Sequence, residues 1–162
     1  MRFRGFKEGW DEKILDELGD FIGGGTPSSS NTDFWNGTIP WVSSSDLNEN
    51  DIHSINISRF ITEEAVNNSA TKICLAPAIL IVSRVGVGKV AYCTKNLCTS
   101  QDFTNIINVK HNSLFLSYLL SIIMRRAAST AQGTSIKGIS SGEIKSKKLF
   151  THVARKQNRQ RI

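Results

Sequence analysis

The stretch GGGTPSSSNTDFWNGTIPWVSSSDL, residues 23–47, gathers short hydrogen-bonding side chains and contains no histidine, cysteine, lysine or arginine. Ser28, Ser29, Ser30, Asn31 and Thr32 bring hydroxyls and an amide that donate and accept hydrogen bonds. Without a neighbouring base none of them is an activated nucleophile. Gly23, Gly24 and Gly25 permit backbone geometries that bulkier residues resist, and Pro27 stiffens the exit. Trp35 and Trp41 close the stretch and are expected to anchor it to a core. The chemistry on offer is recognition by short donors and acceptors.

Reactive motifs are incomplete. In Ser83-Arg-Val-Gly-Val-Gly-Lys89-Val90, Ser83 stands in the place of the first glycine of a phosphate-binding loop, and Val90 in the place of its metal-binding hydroxyl. Read as G-x-G-x-x-A from Gly86 to Ala91, the same stretch would need a helix where KVAYC has strand character. No Gly-x-Ser-x-Gly elbow is present, and His53, His111 and His152 lie in unrelated polar contexts. A methyltransferase acting on exocyclic amines would need an Asn/Asp-Pro-Pro-aromatic motif, but Pro27, Pro40 and Pro77 are never adjacent. The C-x4-C spacing of Cys93 and Cys98, with Cys74 apart, matches no zinc pattern. These cysteines read as reduced core thiols of a cytosolic protein. No acid, base and nucleophile assemble, so no enzyme active site and no bound cofactor or metal are expected.

The elements that must position these loops belong to one domain, since 162 residues suffice for a single hydrophobic core. No apolar run approaches the roughly 18 residues of a membrane span, and no export signal is visible. The net charge of +6 is lopsided. Residues 145–162 hold seven of the 20 basic residues and no acid, leaving 13 basic against 14 acidic residues in the first 144. The body is therefore near neutral and the end basic.

Trp10, Ile14, Leu15 and Leu18 recur at helical spacing and predict a short helix over 10–19. IPWVS (39–43) and SINISRF (54–60) have strand character, the latter alternating as a half-buried strand would. Thr62 predicts an N-cap for a helix running to about Ser69. LAPAILIVS (75–83) and KVAYC (89–93) form a hairpin around Arg-Val-Gly-Val-Gly, and FTNIINV (103–109) is a further strand. SLFLSYLLSIIMRRA (113–127) is the longest helical pattern, expected to be buried on most sides. The order does not repeat as βαβ units, so the fold class is α+β with a mixed or antiparallel sheet and short helices.

Four stretches in this order, RFRGFKEGWDEKILDELGDFIGGGTPS, FWNGTIPWVSSSDL, LAPAILIVSRVGVGKVAY, and TSQDF with AQGTSIKGIS, closely resemble the target-recognition domain of the specificity subunit of type I restriction-modification systems. The resemblance covers residues 2 to about 150, with 151–162 left as a basic tail. It implies a non-catalytic reader of double-stranded DNA, binding one half of a split sequence. The implied partners are methyltransferase subunits that use S-adenosylmethionine, together with a restriction subunit and a second specificity half-subunit.

Under that resemblance the DNA-binding candidates are Thr26, Ser28, Ser29, Ser30 and Asn31 in the opening loop, Ser44 and Ser45 after the second tryptophan, and Arg84 and Lys89 around the Gly86/Gly88 turn. Gln101, suited to adenine through its amide, and the loop residues Thr134, Ser135 and Lys137 complete the set. Arg84 suits a bidentate contact with guanine or phosphate; the alternative is a structural ion pair with Asp46. The family normally continues through a proline-containing segment into a long spacer helix, whereas FTHVARKQNRQRI has neither proline nor glutamate. The spacer helix is thus expected to be lacking, as in a truncated gene, a frameshifted end, an isolated domain or a half-subunit. A remnant or protein-interaction module that keeps the fold without reading DNA is the other function open at this point.

Overall fold

The structure, a computed structural model, describes residues 9–131 and 138–152. It is α+β, built as layers. Strands β2 (Asp20–Gly23), β9 (Thr104–Ile107), β6 (Ala78–Ile81) and β7 (Val90–Cys93) form an antiparallel sheet in that order. Strands β4 (Arg59–Ile61), β3 (Ile39–Val42), β8 (Leu97–Thr99) and β5 (Ile73–Cys74) form a mixed sheet in which β3 and β8 run parallel. Helix α2 (Ser113–Ala131) covers the outer face of the first sheet, and α1 (Glu63–Asn67) flanks the second. A two-stranded ribbon pairs β1 (Trp10–Ile14) with β10 (Lys148–His152), following the short helix α3 (Ser141–Lys145).

Alternating side chains of β6 explain why its sequence is apolar without interruption. Ala78, Leu80 and Val82 face the mixed sheet, joining Val42, Leu97 and Phe103. Ile79 and Ile81 face α2, joining Ile106, Leu116, Leu120 and Met124. With both faces of β6 packed against apolar side chains, each of its positions takes an apolar residue. A third cluster, Phe34, Trp41, Ile61, Ala65 and Cys98, lies on the far side of the mixed sheet.

Several expected elements are present. The hairpin, the strand at β9 and the Thr62 cap, whose hydroxyl accepts from the Ala65 amide, all form. The three cysteines are free and buried, and burial pushes the Cys74 thiol up to about 12. Others differ. Residues 10–14 are a strand and only Leu15–Leu18 turn as a 3-10 helix, because pairing with β10 overrides the local helical spacing. Leu15 and Leu18 are buried, whereas Trp10 and Ile14 face outward. In 54–60 burial alternates as expected, but the ladder begins only at Arg59, after an isolated bridge between Leu47 and Ile55. Helix α2 is buried along one stripe only: Leu114, Phe115, Tyr118 and Ile122 are 36–49% exposed, since the sheet below covers a single face. Among the described residues no helix is long and apolar enough to cross a membrane.

The opening glycines owe their place to a close approach. A Cβ on Gly24 would stand 2.2 Å from the Ser100 carbonyl oxygen and 2.4 Å from that of Thr99, while one on Gly23 would meet nothing within 4 Å. Gly24→Ala is therefore expected to destabilise the domain by about 1–3 kcal/mol or more in urea unfolding, as overpacking against backbone does. Gly23→Ala, measured alongside, is expected to change stability by less than about 1 kcal/mol.

Candidate nucleic-acid interface

The turn Ser100-Gln101-Asp102, between β8 and β9, is the centre of one end of the molecule. The Ser100 amide donates to the Val42 carbonyl at 3.0 Å, extending the parallel pairing and carrying the chain after β3 past this turn. The Gly25 amide donates to the Thr99 carbonyl at 2.9 Å, seating the glycine-rich loop beside it. The Asp102 carbonyl accepts from the amides of Ser83 and Arg84 at 2.8 and 3.2 Å, and the Ser83 carbonyl accepts from Ile139 at 2.7 Å. Loops that start near residues 43 and 83 are thus fastened to this turn, the one near 24 to Thr99 just before it, and the one near 138 to Ser83.

The candidates divide between those this arrangement gathers and those it leaves apart. The Thr26 hydroxyl donates to Gln101 Oε1 at 2.5 Å, both residues being exposed. Lys89 Nζ donates to the Ser44 carbonyl at 3.1 Å, clasping the Gly86/Gly88 turn to the loop after β3. That turn needs its glycines, whose φ angles are 88° and 107°. Ser45 is exposed, with its hydroxyl 2.9 Å from that of Ser43. Ser28, Ser29, Ser30 and Asn31 lie further along the opening loop, at the Trp35 side. The Ser28 and Ser30 hydroxyls share a hydrogen bond of 2.8 Å, and Asn31 caps the 3-10 turn Thr32–Trp35 by accepting from the Asp33 amide. Thr134, Ser135 and Lys137 lie outside the described residues.

Both tryptophans anchor the loop. Trp41 is 3% exposed and its indole N–H donates to the Gly25 carbonyl at 3.0 Å; that of Trp35 donates to the Ser28 carbonyl at 3.2 Å. Their rings meet edge to face with centroids 5.0 Å apart. Their faces and edges are used in holding the loop.

The ion pair considered between Arg84 and Asp46 does not form. Asp46 instead pairs with Arg59 at 2.5 Å and accepts from the Ser43 amide at 2.7 Å. The Arg59 guanidinium also donates to the Ser43 hydroxyl and lies 4.6 Å from the Trp41 ring centroid. Arg59 was missed in the sequence, although a cation at a half-buried register of SINISRF signals a buried acidic partner. Arg84 is exposed, and among the described residues no carboxylate pairs with its guanidinium. The edge therefore offers Arg84, the remaining donors of Lys89 and the Gln101 amide to a partner rich in acceptors. Among the described residues no cluster of His, Cys, Asp and Glu is arranged to hold a metal.

Comparison with known proteins places this arrangement. The family model described as type I restriction modification DNA specificity domain matches residues 7–151. The specificity subunit of the type I restriction enzyme EcoR124I/EcoR124II of Escherichia coli is 38% identical over 152 residues, covering 90% of this chain and 37% of that protein. The MjaIX specificity subunit of Methanocaldococcus jannaschii is 39% identical over 99 residues, 60% of this chain and 23% of that protein. The crystal structure of the HsdS subunit from Thermoanaerobacter tengcongensis shares the fold, with a TM-score of 0.63 at 16% identity over 91% of this chain and 35% of that one. The chain spans between about a quarter and two fifths of the length of these relatives. With the family model matching nearly all of it, the chain belongs to the type I restriction modification DNA specificity domain family.

Proposed function

We propose that this domain binds double-stranded DNA, mainly through the major groove, and reads one half of a bipartite target for a type I restriction-modification complex. The observation that carries the reading is the edge centred on residues 100–102, where a family member of this kind presents an exposed Arg84 without a carboxylate partner among the described residues. A guanidinium on backbone fixed there by the Arg84 amide's hydrogen bond to the Asp102 carbonyl suits a bidentate contact with guanine O6 and N7 or with a phosphate. The domain takes no part in the chemistry. Methylation of adenine requires the base to be flipped out of the duplex, a task that falls to a partner methyltransferase carrying S-adenosylmethionine. A restriction subunit and a second specificity half complete the assembly, which acts in the cytoplasm.

Selection from a random duplex pool, with the cognate methyltransferase supplied, tests this directly. Enrichment of a motif of a few base pairs is the expected result, and no enrichment by well-folded protein would leave a degenerate remnant or interaction module as the better reading.

Arg84→Ala is expected to cost about 1–3 kcal/mol of affinity on the preferred duplex and less on random DNA, with the urea midpoint unchanged. Equal losses on both duplexes would reduce Arg84 to a phosphate contact.

The basic end is expected to act differently. The tail expected from residue 151 begins within β10, where Thr151 is 3% exposed, so the informative truncation removes residues 153–162 with Arg155, Lys156, Arg159 and Arg161. Its loss is expected to weaken binding to all sequences alike and to flatten the slope of log K against log salt, since released counterions scale with neutralised phosphates. Preference among sequences should survive, and a change of preference in the selection assay would contradict this division.

A further inference from the structure

Val85 stands at the centre of the Gly86/Gly88 turn, beside Arg84, and at 72% is the most exposed large apolar residue among those described. Its backbone is held from both sides. The Ser83 and Arg84 amides donate to the Asp102 carbonyl before it, and the Val82 amide donates to the Lys89 carbonyl at 3.0 Å across the base of the turn. Lys89 Nζ is tied to the Ser44 carbonyl, and Val87 packs against the core beneath α2. Gly88 lies on α2, where an added Cβ would stand 3.0 Å from that of Ala128. A valine side chain has a single torsion, and branching at Cβ stiffens it. Fixing this backbone therefore fixes an isopropyl group that faces solvent and contributes little to any core.

Resting on the major-groove reading above, we infer that Val85 is a specificity-determining residue that packs on the 5-methyl group of a thymine. Unlike a hydrogen-bond donor, an isopropyl group distinguishes among the surfaces of a duplex. Phosphate oxygens are charged and hydrated, and an apolar group gains nothing from them. In the major groove the edges of guanine, cytosine and adenine are read through donors and acceptors, and thymine alone adds a methyl group. Apolar wedges that unstack base pairs work from the minor groove. With Arg84 beside it, the turn thus offers a fork of donors and one apolar contact on the same short stretch of backbone.

The full chain, with the methyltransferase supplied as in the selection, is titrated with the preferred duplex and with copies in which each thymine in turn is replaced by deoxyuridine. That replacement removes one methyl group and keeps every hydrogen-bonding edge. At one position it is expected to weaken the parent protein about 3- to 10-fold, the burial of a methyl group. Val85→Ala should bind the unmodified duplex more weakly by a similar factor and be indifferent to deoxyuridine at that position alone, because the two deletions remove the same contact. Neither the urea midpoint nor the salt slope should move, since Val85 is exposed and uncharged. Additive losses at every thymine, or Val85→Ala binding as the parent does, would overturn the inference. So would a preferred motif without a required A·T pair. A loss for Val85→Ala that is equal on preferred and random duplexes would make the contact one with sugar or backbone, and a loss of methyltransferase binding with duplex affinity intact would make it one with protein; either result overturns the inference. If the parent protein selects no motif, the DNA-reading proposal itself fails. If it selects one and no thymine methyl couples to Val85, only the present inference fails.

Discussion

The buried carbonyl of Thr99 accepts two hydrogen bonds from distant parts of the chain, the Gly25 amide at 2.9 Å and the Thr71 hydroxyl at 3.3 Å. The hydroxyl oxygen of the same residue accepts from the Asn105 amide at 2.9 Å, across the space between the two sheets. Thr99 and Asn105 are both 0% exposed, so each of these bonds offsets a desolvation that would otherwise count against folding. Because Thr99 ends β8, whatever is tied to it is tied also to the turn that follows. The opening loop, the loop after β3 and the turn before β9 consequently keep fixed positions relative to one another. A set of loops thereby gains the definition of a sheet edge.

What could be read in the sequence was local. The β6–β7 hairpin follows from two apolar runs around paired glycines, and α1 from a threonine cap followed by two glutamates; both signals lie within a few residues of the structure they specify. The ribbon of β1 and β10 was not legible, because its partner strands stand at opposite ends of the chain and the spacing of Trp10, Ile14 and Leu18 fits a helix equally well. Strand β8 is three residues long, too short for periodicity to reveal, yet it is central to the mixed sheet. The candidate residues were recognisable by type, but their gathering was not. That Thr26 meets Gln101, or Lys89 meets Ser44, follows from strand order, which no local pattern encodes.

The pairing of Arg59 with Asp46 shapes the electrostatics of the edge as much as the exposed cation does. Asp46, with a side chain 9% exposed, is held through Oδ2 by a guanidinium, a hydroxyl and a backbone amide. A free carboxylate in that loop would repel a polyanion at close range. Neutralised and turned inward, it instead braces the loop that carries Ser44 and Ser45. The cost of withdrawing the carboxylate from water is lowered by these hydrogen bonds, while the guanidinium, its side chain 41% exposed, keeps contact with solvent and lies over the Trp41 face.

A near-neutral body with a basic end separates two requirements that a single charged patch would merge. Charge attracts any duplex, with a strength set by counterion release and with no regard for sequence. Discrimination requires donors held at fixed positions, and added charge near them would strengthen wrong complexes as much as right ones. Along residues 1–144 the basic and acidic residues nearly cancel, while seven basic residues are concentrated in 145–162. Within the body, the backbone that carries Arg84 is fixed to Asp102, Lys89 is held to the Ser44 carbonyl, and Gln101 is held by Thr26. Under the proposed reading their contribution to binding depends on geometry, and geometry is what the Thr99 junction secures.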